Sequence, residues 1–329
     1  MIGAGRAVIG EPAGYHRVAS ALHQKTDTMA NIRRTAELQA IGAALLFSTG
    51  GAAIKVAAFS GMQISCIRAG IAAAALLLWW RGRLTWSWPA VAIGVVYAAT
   101  LTLFVNATKL TTAAHAIFFQ STAPLYIILF GPLLIRERVR ARDLAYLGVV
   151  GAGLALCFLG RADATATAPD PAKGNLLAVL CSVTWALTLV GLRWGQRSGE
   201  GVGTTAVVAG NLIAFAVALP FAFPLPSATL AEWATLVYLG VFQIGAAYVF
   251  LTSAMSHLPA LEVSLLLLLE PVLNPIWTWL VRGEDPGVWV WTGGAIIIAA
   301  TAAKAIYDSR QLSVVSCQKA TNQLERTDN

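Results

Sequence analysis

Residues 260–281, ALEVSLLLLLEPVLNPIWTWLV, decide what kind of protein this is. A helix needs about 20 predominantly apolar residues to cross a bilayer, and this stretch supplies them. Yet it carries Glu270 near its middle, followed by Pro271 and then by Asn274-Pro275. An ionisable group at that depth costs roughly 2.5–3.5 kcal/mol on insertion scales, so it faces the bundle interior or water. Pro271 lacks an N–H and frees a carbonyl one turn back, which also demands polar company. Two readings of Glu270 follow. Either it is protonated in a kinked, packed helix and bonds a neighbouring backbone, or it touches a transport cavity or its gate.

Composition extends this reading to the whole chain. Of 329 residues, 57% are hydrophobic and only 12% charged, against about 25% charged in soluble domains. The chain reads as an all-α polytopic membrane protein. Its formal net charge of +7 therefore does not imply a nucleic-acid partner. Cys66, Cys157 and Cys181 lie in apolar runs and Cys317 in a polar tail. None is spaced for zinc or a disulfide framework, so no metal or cofactor is expected. A phosphate-binding G-x-x-x-x-G-K-[ST] loop is absent, which excludes an ATP-driven pump of that type. There is no H-E-x-x-H, and nothing resembles a repeated carbonyl filter or a ring of like charge. A membrane-embedded enzyme and a channel remain only remote alternatives.

Ten hydrophobic segments follow one another at about 37–58, 62–80, 88–108, 112–135, 143–160, 174–194, 203–223, 231–256, 260–281 and 287–307. Residues 1–34 form a polar leader, expected to be disordered. Met29 opens a second conventional start, so residues 1–28 are readable as lying upstream of the true one. Residues 308–329 form a polar tail. The positive-inside rule sets orientation. With the N-terminus in the cytoplasm, seventeen Lys and Arg residues fall inside and only Lys109, Arg161, Lys173 and Arg282 outside. Lys55 and Arg68 sit within spans. An even number of spans returns the C-terminus to the cytoplasm.

The chain also repeats itself. Segments 114–139 and 261–286 match at a constant offset of 147, pairing Pro124 with Pro271 and Glu137 with Glu284. A Gly-containing span follows each glutamate. In the preceding spans the match fades to small residues and a terminal cation, Lys55 in one half and Arg193 in the other. The halves, 35–160 and 174–307, are joined by an external linker at 161–173. Five spans is an odd number, so the second half is inverted relative to the first. Inverted repeats are the arrangement of secondary transporters, with the substrate site between halves near the midplane.

Ten spans as five plus five, Arg68 inside ISCIRAGIAAAALLLWW, and Pro124 and Glu270-Pro271 in their places together resemble the drug/metabolite transporter superfamily, EamA-like branch. Within it the chain looks most like the amino-acid exporters, including the aromatic amino-acid exporters. That resemblance covers about residues 35–307. It implies a monomeric-size carrier of the inner membrane, exporting or exchanging small metabolites by alternating access. It also implies a central cavity lined by spans 1, 3, 4, 6, 8 and 9. The chain departs from symmetry in two places: Ala123 stands where the second half has Glu270, and the second half has Asn211 but no counterpart of Arg68.

Helical spacing then nominates cavity residues. These are Ser48 in span 1; Tyr97, Thr100 and Phe104 in span 3; Phe119, Thr122 and Tyr126 in span 4. Trp185 and Thr188 in span 6, Gln243 and Phe250 in span 8, and Glu270 and Asn274 in span 9 complete the set. Pro124, Pro271 and Pro275 are candidate kinks or gates. For any one of them, self-bonded hydroxyls or aromatic packing between helices would serve as well. Lys55 and Arg68 are expected to snorkel to the outer interface or to meet a substrate carboxylate. Tryptophans at span ends, Trp79 and Trp80 among them, read as an interfacial belt. Few fixed charges suggest broad selectivity for neutral amino acids such as phenylalanine, methionine and threonine. Drugs, nucleosides or other metabolites are the alternative cargo. Nothing pairs convincingly as a proton relay, so facilitated exit is the expected mode.

Overall fold

A computed structural model describes residues 13–81, 84–136, 141–158, 168–199 and 201–282, and parts of 288–307. Among the described residues there are helices and no β-strands, and eight helical stretches are long and apolar enough to span a membrane. This is a multi-pass membrane protein. Contacts divide the chain into two units. Residues 36–302 form one, and 1–35 with 303–329 form the other. In the smaller unit, residues 13–35 are helical. All that follows concerns the larger unit.

The first span is the end of α1 (Ala13–Ser48) continued by α2 (Gly50–Val56). Next come α3 (Gly61–Trp79) and α4 (Trp88–Leu110). The fourth span is split into α5 (Ala113–Gln120) and α6 (Ala123–Leu134). After α7 (Ala141–Phe158) come α8 (Pro171–Ser198) and α9 (Val202–Ala218). The eighth span runs through α10 (Leu230–Tyr238), a π-helical stretch (Leu239–Ala246) and α11 (Ala247–His257). The ninth is α12 (Ala260–Leu266), a 3₁₀ turn (Leu267–Leu269) and α13 (Glu270–Arg282). Described residues between 288 and 307 are helical. Glu137, Glu284, most of the linker and the 308–329 tail lie outside the described residues.

Polar residues in the short loops start the helices. Ser60 and Gln63 form a reciprocal capping box before α3, and Thr229 and Glu232 do the same before α10. Each pair satisfies two backbone donors that the first turn leaves open. The Ser87 side chain caps α4, Thr112 caps α5 and Asp170 caps α8. His115 takes part in the α5 start, its Nδ1 2.7 Å from Thr112 Oγ1. Small residues then set how near the helices approach. A Cβ on Gly94 in α4 would stand 3.0 Å from Gly210 N in α9. Close backbone approach of this kind is what holds helices together where lipid removes the hydrophobic driving force. In this way α4 packs against both α8 and α9.

Lysines tie span ends together. Lys55 Nζ, in the last turn of α2, donates to Thr111 O just past α4 at 2.7 Å. Lys109 Nζ, in the last turn of α4, donates to Ala57 O just past α2 at 2.7 Å. Cations at helix C-termini satisfy open carbonyls and complement the macrodipole. Lys55 therefore binds backbone rather than simply extending to the interface. Arg193 in α8 donates to Met255 O near the end of α11. Trp79, Trp86 and Trp88 are exposed as a belt requires, but Trp80 is buried against the core.

Candidate functional site

Four spans lose regular helical backbone near their middles, and residues beside those breaks face one another. Thr49 separates α1 from α2, so Phe47 and Ser48 end a helix. Pro124 stands in the first turn of α6 and cannot donate to the carbonyl of Gln120, where α5 stops. Pro271 does the same to Leu267, and the 3₁₀ turn before Glu270 marks the place. The two proline breaks lie at the 147-residue offset seen in the sequence. Gln243 lies within the π stretch. Irregular backbone at membrane depth is tolerated where it is enclosed by protein or lines a cavity.

Two adjoining cavities occupy this place. One of about 340 Å³ is lined by Phe47, Arg68, Thr100, Leu101, Phe104, Gln120, Trp185, Gln243, Ile244, Tyr248 and Glu270. The other, about 270 Å³, shares Gln120, Trp185 and Glu270 and adds Ser121, Ala123, Pro124, Ser264, Leu267 and Leu268. Thr100, Trp185, Gln243 and Glu270 each lie within one residue of the midpoint of the spans Trp88–Leu110, Pro171–Ser198, Leu230–His257 and Ala260–Val281. The cavity therefore sits halfway along the helices that enclose it.

Its walls are aromatic on one side. Tyr248 is ringed by Tyr97, Phe47 and Trp185, with centroids 4.6, 5.2 and 6.3 Å away. Trp185 also meets Phe47 edge-on at 6.1 Å. Asn211 Nδ2 donates to the Tyr97 hydroxyl at 3.2 Å and fixes it from behind. On another side the hydroxyls of Thr100 and Thr188 lie 3.1 Å apart. Arg68 enters from α3, only 1% exposed. It donates to Gln243 Oε1 at 3.3 Å and to Leu101 O at 3.2 Å, and its Nε finds no acceptor. Glu270 is 7% exposed and is joined to no described residue by a hydrogen bond or ion pair.

The sequence candidates are distributed accordingly. Thr100, Phe104, Trp185, Gln243 and Glu270 line the larger cavity, and Pro124 lines the smaller. Tyr97 and Thr188 stand behind the wall through Tyr248 and Thr100. Ser48 is fully buried and accepts a 2.8 Å bond from Trp277 Nε1. Asn274 is also fully buried, pressed against Gly51 with neither amide atom bonded. Thr122 bonds its own helix at Phe119 O. Phe119 packs on Ala107, Ala116 and Ala178, and Tyr126 stacks on Phe130. Phe250 is a correction: it is 39% exposed and covers Gly42, away from both cavities. Arg68 corrects the snorkelling expectation, because it points inward. Phe47, Gln120 and Tyr248 line the cavity without having been singled out. A proline four residues after Gln120 was the signal for one of them.

Comparison with known proteins gives the arrangement company. The profile of the EamA-like transporter family matches residues 34–159 and again 172–303. The pseudopaline exporter CntI of Pseudomonas aeruginosa is 30% identical over 210 residues, 63% of this chain and 71% of that one. The aromatic amino acid exporter YddG of Ancylobacter novellus is 32% identical over 153 residues, 44% of this chain and 50% of its own. A solved structure, described only as a crystal structure of a protein, superposes with a TM-score of 0.67 at 25% identity. It covers 85% of this chain and 99% of its own.

Proposed function

Because the chain belongs to the EamA-like transporter family, we propose that it is a secondary transporter that exports or exchanges small metabolites, chiefly neutral amino acids, by alternating access. The observation that carries this reading is the mid-span cavity, polar on some walls and aromatic on others. The family and its relatives are transporters and not enzymes. The aromatic wall and the aromatic amino acid exporter among the relatives support an amino-acid cargo. Export of another metabolite is the second reading, favoured by the pseudopaline exporter, which matches more of the chain.

In this proposal ten spans form two inverted halves with both termini cytoplasmic, in a monomer of the inner membrane. Three observations support the halves: the family profile fits twice, the proline breaks share one offset, and cations link equivalent spans. Lys55 reaches from span 1 to the end of span 3, and Arg193 from span 6 to the end of span 8. Counterflow in proteoliposomes tests the function. Saturable uptake of phenylalanine, methionine and threonine, stimulated by unlabelled amino acid inside, is the expected result. Linear, unstimulated flux, or a chemically changed solute, contradicts it.

A further inference from the structure

Two ionisable side chains of opposite type, a guanidinium and a carboxyl, line the same cavity and form no ion pair with each other. Arg68 is buried, its two acceptors are both neutral, and its Nε has no partner. Glu270 is buried without any partner. A buried charge left uncompensated is strongly destabilising, and two opposite ones in one cavity gain most by pairing. Here they are held apart. Gln243 and the Leu101 carbonyl hold the Arg68 head, while Glu270 is fixed at the start of α13 by the break at Pro271. Tyr248 lines the same cavity as both. Gln120, whose buried Oε1 has no partner, lines both cavities with Glu270.

Resting on the carrier reading above, we infer that the cavity is a two-pole site for zwitterions, in which Arg68 takes the carboxylate and Glu270, with Gln120 Oε1, takes the ammonium. Phe47, Trp185 and Tyr248 flank the apolar portion between the poles. A zwitterion compensates both charges and adds none of its own. A simple amine, a carboxylic acid or an amino-acid amide leaves one pole bare, and an unpaired buried group is what rejects an analogue. The site thus selects for the amino-carboxylate frame while the aromatic wall tolerates varied side chains.

The test is counterflow with full-length reconstituted protein, using phenylalanine and methionine beside their amides and N-acetyl derivatives. Both blocked forms should compete about tenfold or more weakly than the free amino acids. Arg68→Gln should erase the preference of acid over amide and leave the preference over the N-acetyl form. Glu270→Gln should do the reverse. Arg68→Lys, which keeps a cation, should restore the first preference and shows that the fold survives at this position. Blocked analogues that compete as well as the free amino acids, or variants that weaken all probes alike, would overturn the two poles and leave the carrier standing. Absence of trans-stimulated exchange for every solute would instead remove the carrier reading itself.

Discussion

Trp185 joins the two cavities and meets Phe47 and Tyr248 edge-on. Each such aromatic pair contributes about 0.5–1.5 kcal/mol beyond area burial. Trp185→Ala should therefore raise the half-saturation concentration for phenylalanine about tenfold, since each 1.4 kcal/mol is a factor of ten. Threonine, with no ring to lay on the wall, should change less. Equal loss for both, measured by counterflow, would mean that Trp185 supports the fold rather than the cargo. At this scale the sequence was readable where a polar residue interrupted an apolar run, as at Glu270 and Gln243. Arg68 misled because position along a span does not say whether a long side chain reaches out to the interface or in to the core. The span begins about where the sequence put it, at Gly61, and Arg68 stands about 10 Å along the helix, at 1.5 Å per residue, turned inward. Phe47 and Tyr248 gave no signal, since an aromatic side chain in a membrane helix looks the same whether it faces lipid or cavity.

Elements explain the misplaced candidates. A regular helix would put Gln243 and Phe250 on one face, seven residues apart. The π stretch Leu239–Ala246 shifts that face. Gln243 and Tyr248, five apart, line the cavity, while Phe250 turns outward. No composition rule marks a π stretch, so this register lay beyond sequence reading. The proline breaks were legible, and they invite a direct test. Pro271→Ala restores an N–H to the carbonyl of Leu267 and should let the helix run straight through Glu270. Exchange should fall about tenfold in a variant that still elutes as folded protein, consistent with a displaced wall group. Wild-type exchange would show that the break is incidental. The lysine cross-links make a stability prediction. A hydrogen bond to a charged group contributes about 1.5–3 kcal/mol. Lys55→Ala and Lys109→Ala should each lower the melting temperature. Because both bonds tie the same pair of ends, the double variant should lose less than the two losses added. Strict additivity would mean that the two bonds act independently.

Across the whole molecule, apolar length alone marked the eight described spans, because the bilayer imposes a minimum that few other structures meet. What length cannot give is which faces meet. The small residues of α4 and α9 and the breaks in four spans settle that. The proposed parity predicts that tags at the two termini are reached from the same side of the membrane. Protease protection in oriented vesicles reads this out, and tags on opposite faces would contradict the inverted halves. The central claim is that cargo occupies the mid-span cavity and reaches it from each side in turn. Phe104 lines that cavity from α4. In a chain whose four native cysteines are replaced, Phe104→Cys should react with a membrane-impermeant maleimide from either face, with transported amino acid protecting it from both. Labelling from one face only, under every substrate gradient, would contradict the account.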